Sequence, residues 1–147
     1  MKDMTKIKGK LAIVLKDKDG NIKDERNVNN LVVDTGLAYI ASRMKDATAN
    51  PMTHMAVGSG TTAPSANDTD LQSILGSREV LDSTDVTGAS VAFSCGFEAG
   101  EGTGAITEAG LFNSVTGGTM LCRTTFAVIN KGASDTLSIV WTVTISA

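Results

Sequence analysis

The sequence predicts a mainly β fold: an antiparallel β-sandwich or jelly-roll-like domain carrying one α-helix near residues 35–45. Three observations lead there. Leu137, Ile139, Trp141, Val143 and Ile145 alternate with Ser138, Thr142 and Thr144, the period-2 pattern of a strand with one buried face. Ala89, Val91, Phe93, Cys95 and Phe97 alternate in the same way with Ser90, Ala92, Ser94, Gly96 and Glu98. Glycine-bearing turn signals separate these and other apolar runs, a spacing expected of an all-β sandwich or barrel.

The first strand is read over residues 7–15, with Ile7, Leu11, Ile13 and Leu15 on one side and Lys8, Lys10 and Lys16 largely on the other. Asp17-Lys18-Asp19-Gly20 follows, and Asp-Gly between strand-like runs marks a hairpin tip. The return strand is polar over residues 21–30 and turns apolar at Leu31, Val32 and Val33. The period then changes. Leu37, Ile40, Ala41 and Met44 share a helical face behind Asp34, a good N-cap because its carboxylate accepts an orphan backbone N–H. A helix is predicted over residues 35–45, ended by a loop at 46–51.

Residues 52–57 read as a short strand running into the irregular Gly58-Ser59-Gly60 loop. Two helical turns are predicted over 68–75, capped at Asp68 and ended at Gly76. Strands follow at 78–86, 89–97, 106–112, 120–128 and 137–145. Gly117-Gly118 is read as a hairpin tip, because glycine takes the positive φ such a turn requires, and residues 130–134 form another turn. Residues 1–29 are set apart as an N-terminal hairpin, an attachment arm integrated with the fold, and residues 30–147 as a single β-rich domain.

At 147 residues the chain suits one domain. Its net charge of −3 gives no basic footprint for nucleic acid. No stretch approaches the ~18 consecutive apolar residues of a membrane-spanning helix. The opening Met1-Lys2-Asp3-Met4-Thr5-Lys6 has neither an apolar region nor a small-residue cleavage site of a leader. The expectation is a protein made and kept in a cytoplasm, or assembled into something there. Neither nucleic-acid nor membrane partners, nor any cofactor, are expected.

Candidate chemistry is sparse. The single histidine, His54, has no local carboxylate or nucleophile to serve as a base, so a structural role is favoured. Gly58-Ser59-Gly60 matches neither the dinucleotide nor the phosphate-loop spacing. Asp17 to Asn21 places its glycine too early for a calcium loop. Glu98, Glu101 and Glu108 form a conceivable acid/base set, as in a small carbohydrate-active enzyme, but solvated or interface roles are favoured. Cys95 and Cys122 lie on the apolar phase of their strands and read as buried, unbonded thiols. Lys6, Lys8, Lys10 and Lys16 have two readings of equal weight: protection of an edge strand, or a contact surface for an acidic neighbour. The predicted core comprises Leu37, Ile40, Met44, Phe93, Cys95, Phe97, Cys122, Phe126, Ile139, Trp141 and Val143.

Three stretches, in order, resemble a family of small tailed-bacteriophage virion proteins. They are Asn30 to Leu37; His54 to Pro64 with Asp68-Thr69-Asp70-Leu71; and Glu108 to Asn113 with Gly117 to Arg123 and the closing Ile139-Val140-Trp141-Thr142-Val143. The resemblance runs from about residue 30 to the end. It implies a virion structural protein without enzymatic activity, foremost a capsid decoration (cement) protein. Such a protein would bind the major capsid protein of the assembled head, as a homo-oligomer with a trimer favoured. The second role it implies is a tail fibre, baseplate or adaptor component held by neighbouring tail proteins.

Overall fold

A computed structural model describes residues 6–45 and 48–146. These form nine strands and one helix: β1 (Lys6–Lys16), β2 (Ile22–Val32), α1 (Asp34–Ser42), β3 (His54–Gly58), β4 (Glu79–Val80), β5 (Ser83–Thr87), β6 (Ser90–Phe97), β7 (Gly104–Phe112), β8 (Met120–Lys131) and β9 (Thr136–Ser146). The domain is mainly β and antiparallel, as the alternation predicts. Of the sequence-based assignments, residues 1–5 and the start of the loop at 46–51 lie outside the described residues.

The strands make one sheet in the order β4-β3-β7-β8-β2-β1-β9-β6-β5. Strand β2 joins its two halves. Residues from Ile22 to Asn30 pair with β1, whereas Leu31 and Val32 pair with Arg123 and Cys122 of β8. The sheet curls there, and apolar faces from both halves meet in one core. Leu11, Ile13, Phe97, Ile139 and Trp141 come from one half, and Met55, Val57, Ile106, Leu111 and Cys122 from the other. Burying this much aliphatic and aromatic surface supplies the main driving force for folding.

The turn chemistry follows the sequence. Asp17 Oδ1 accepts the backbone N–H groups of Asp19 and Asn21 at 2.9 Å each, closing the β1–β2 hairpin over Gly20 at φ 84°. Gly117 and Gly118 take φ 60° and 64° at the β7–β8 tip. The polar return strand is a full eleven-residue partner of β1, because its inward positions Arg26, Val28 and Asn30 are only partly buried.

Three assignments are corrected. The helix stops at Ser42, and its N-cap is Val33 without a side-chain cap, while Asp34 sits in the first turn. Its packed face is not the predicted one: Gly36 is the buried residue, and Tyr39 and Ile40 lie against the core. A Cβ on Gly36 would stand 2.3 Å from the Leu121 carbonyl oxygen, so only glycine lets the helix approach β8 this closely. Leu37 and Met44, predicted as core, are 43% and 86% exposed. The predicted helical turns at 68–75 are an irregular loop. The single strand predicted over 78–86 is two pieces, β4 and β5.

The other predicted core residues face inward. Phe93, Cys95, Phe97, Cys122, Ile139, Trp141 and Val143 are buried, and Ile40 and Phe126 pack partly buried against them. Ile145, on the same phase of β9, is exposed where the strand runs past the core.

Candidate functional site

The most organised polar feature lies on the outer side of the β3-β7-β8 half. Glu108 of β7 and Arg123 of β8 are completely buried, and the registers place Arg123 opposite Gly110, two residues along from Glu108. Alternation therefore turns both side chains to one face, and Gly110, lacking a side chain, lets the Phe112 ring and Leu71 close over the backbone beside them, where a Cβ would stand 2.9–3.0 Å from both.

Glu108 is fully occupied. Oε2 accepts the backbone N–H groups of Gly60 and Ser73 at 2.8 Å each. Oε1 accepts the Gln72 N–H at 2.9 Å and Arg123 Nε at 3.1 Å. Four donors match the roughly four lone-pair sites of a carboxylate. Arg123 in turn donates to Asp68 Oδ2 at 2.9 Å and to the Thr62 carbonyl at 3.0 Å. Thr107 Oγ1 donates to the Gly60 carbonyl at 2.8 Å. The loop at 59–73 is thus fastened to the sheet by one ion pair and its hydrogen bonds.

This explains two sequence features. A Cβ on Gly58 or Gly60 would stand 2.6 Å or 2.4 Å from Glu108 Oε2, so these glycines admit a carboxylate against the backbone, and neither has a positive φ. The loop at 68–75 is not helical because Glu108 takes its amide donors and Asp68 receives the Ser65 N–H and Arg123. Glu108 is accordingly neither solvated nor at an interface, which corrects the expectation for it.

A second fastening uses Arg78, which is 9% exposed. It donates to the Ser114 and Gly117 carbonyls at 2.9 and 2.8 Å. Its guanidinium lies 3.6 Å from the centroid of the Phe112 ring, a cation–π contact.

The remaining candidates separate. Glu98 is exposed, and Glu101 Oε2 accepts the Glu98 N–H at 2.9 Å, so Glu98, Glu101 and Glu108 do not converge. His54 is half-buried, its Nδ1 2.8 Å from Thr53 Oγ1. No group of three or more His, Cys, Asp or Glu among the described residues is arranged to hold a metal. Cys95 and Cys122 are free and buried, and burial pushes both thiols up to about 12. For Cys95, the carboxylates of Asp82, Glu79 and Glu101 add to the rise.

Lys6, Lys8, Lys10 and Lys16 stand exposed on the outer face of β1. Their strand lies between β2 and β9, which removes the edge-protection reading. An apolar cleft of about 310 Å³ opens between α1 and the β5-β6-β9 side, with Ile40, Met52, Val86, Phe93 and Val143 in its walls. Sequence reasoning missed the cleft and the role of Arg123. The available signal for the latter was an arginine inside the otherwise apolar and small run from Met120 to Phe126.

No family model, curated protein or solved structure matches the chain.

Proposed function

We propose that this chain is a structural protein of a tailed-bacteriophage virion, and foremost a capsid decoration protein that binds the assembled head. One observation carries the reading. The resembling stretches from His54, Asp68, Glu108 and Gly117 supply Gly60, Thr62, Asp68, Glu108 and Arg123 to one buried network, with Glu108 and Arg123 at its centre. Its polar groups are spent on holding a loop, the work of a rigid binding module. Two surfaces remain for contact with the major capsid protein: the lysine column of β1 and the helix side exposing Leu37 and Met44. A stable seat would need roughly 1,000 Å² of buried surface. Because the protein would bind only the assembled shell, mass action would stabilise that shell.

The tail reading keeps one supporting observation. Residues 56–64 and 108–112 are also similar to tail-fibre modules, and their strands β3 and β7 lie side by side, with Ala56 opposite Gly110 and Val57 opposite Ala109. Copy number separates the roles. Quantitative mass spectrometry of virions from the phage encoding the chain should find hundreds of copies per particle. A handful would transfer the assignment to the tail, and absence from the particle would end both.

A further inference from the structure

We propose that the outer face of the β5-β6-β9-β1-β2 half is self-complementary and pairs two copies of this chain about a two-fold axis. The axis would run along the strands between β6 and β9. The inference does not rest on the virion reading, since it concerns the purified chain.

The registers carry the argument. Asp85 pairs with Ala92, Ala92 with Thr142, and Thr142 with Lys10, so these four residues form one transverse row. The adjacent row runs Thr87, Ser90, Thr144 and Lys8. Both of these rows end in a lysine on β1, the next row (Ser83, Ser94, Val140) ends at Ala12, and the Asp85 row has an acid at its other end. A two-fold between β6 and β9 exchanges β5 with β1 and β6 with β9 within every row. Asp85 then faces the second copy's Lys10, and Lys10 faces the second copy's Asp85. One operator makes both contacts, which is what an isologous interface demands.

The charges are unspent in the single chain. Asp85, Lys8 and Lys10 are exposed, and none takes part in the five ion pairs found among the described residues. Between the charged ends stand short side chains: Ala92 and Ser94 on β6, Val140 and Thr142 on β9. No long side chain there keeps a second sheet away. Ser90 and Thr144 already bond each other at 2.8 Å, so covering them strands no hydroxyl.

The area fits a weak dimer. With β5 overlapping β1 along about 17 Å and β6 overlapping β9 along about 27 Å, strands about 4.8 Å apart give about 420 Å² of plane per copy. The total of about 840 Å² lies in the range of weak, transient interfaces, so the dimer belongs to the micromolar regime. With so much of the specificity carried by exposed ion pairs, association should weaken as salt rises.

Sedimentation equilibrium of the purified chain, at low and high salt, tests this. A dimer is expected that weakens with salt. Lys10→Glu or Asp85→Lys should each loosen it at least roughly thirty-fold, because symmetry counts each like-charge contact twice. The combined Lys10→Glu/Asp85→Lys variant should restore it. Ala92→Arg should abolish it by filling the flat centre. All three substitutions are on the solvent face, and circular dichroism would verify that the four variants remain folded. A monomer at 100 µM in low salt, a trimer, or a dimer unmoved by the single reversals would overturn the proposal.

Discussion

At Glu108 a single side chain competes with secondary structure for backbone donors. The N–H groups of Gly60, Gln72 and Ser73 all end on its carboxylate, and charge-assisted bonds of this kind are about twice as strong as neutral ones. Its loss would also leave buried Arg123 with Asp68 as its one remaining carboxylate partner. Glu108→Gln should therefore cost about 3–5 kcal/mol in urea denaturation, the range for breaking a buried pair. Adding Arg123→Met should recover part of that loss, since the charge then left over is on Asp68, which reaches solvent; further destabilisation by the double change would count against the argument. Trp141 is the comparable apolar case. It is completely buried, and its Nε1 donates to Asn30 Oδ1 at 3.1 Å. Trp141→Ala should cost roughly 3–5 kcal/mol, and a variant as stable as the parent would remove Trp141 from the core. Little of the Glu108 network was legible, because a carboxylate and an arginine in strands read as surface until their registers are known.

The helix shows what periodicity conveys about an element and what it does not. Spacing announced α1 correctly near residue 35. The packed face was misjudged, because the helix approaches β8 through its smallest residue, Gly36, and Met44 falls beyond its end at Ser42. Hydrophobic spacing weights large side chains, whereas close backbone contact selects small ones. Gly36→Ala should accordingly destabilise by about 1–3 kcal/mol through overpacking, while Leu37→Ser and Met44→Ser should each stay within about 0.5 kcal/mol. Thermal melts would check the ranking; a reversed order would restore the predicted face. For strands β6 and β9 the buried phase was legible as far as Val143, since a period of two leaves only two choices; β8 departs from it, burying Arg123 on the opposite phase from Cys122. Cys95 and Cys122 test that phase chemically. With both thiols pushed up to about 12, an aromatic disulfide reagent at pH 8 should react slowly with the native protein. Both should react promptly in denaturant.

Across the whole molecule, strands remote in sequence lie side by side, and such non-local pairing slows folding into the millisecond-to-second range. β1 is a central strand with Leu11 and Ile13 in the core, so deletion of residues 1–29 should leave no cooperatively folded remainder. Strand order was the part least legible from sequence, because alternation identifies strands without naming their neighbours. Acid sensitivity also belongs at this scale. Asp135, in the β8–β9 turn, bonds Lys23 of β2 at 2.8 Å. That lysine, then the Gly132 N–H, holds its carboxyl below the ordinary range. A depressed folded pKa makes the contribution present above the unfolded value of about 3.9 and lost as pH falls through the lower folded value. Stability should thus decline as pH drops from about 4, and Asp135→Asn should flatten that limb; denaturation midpoints from pH 6 to 2.5 would reveal an unchanged slope if the pair were idle. The pairing of β1 with β9 reaches further still. Lys6 lies opposite Ser146, so those two backbones are only about 5 Å apart. A short linker joining Ser146 to Lys6, with the chain reopened at Gly117-Gly118, would yield a circular permutant with the same sheet, and passengers fused directly at Lys6 and Ser146 would emerge together from one corner.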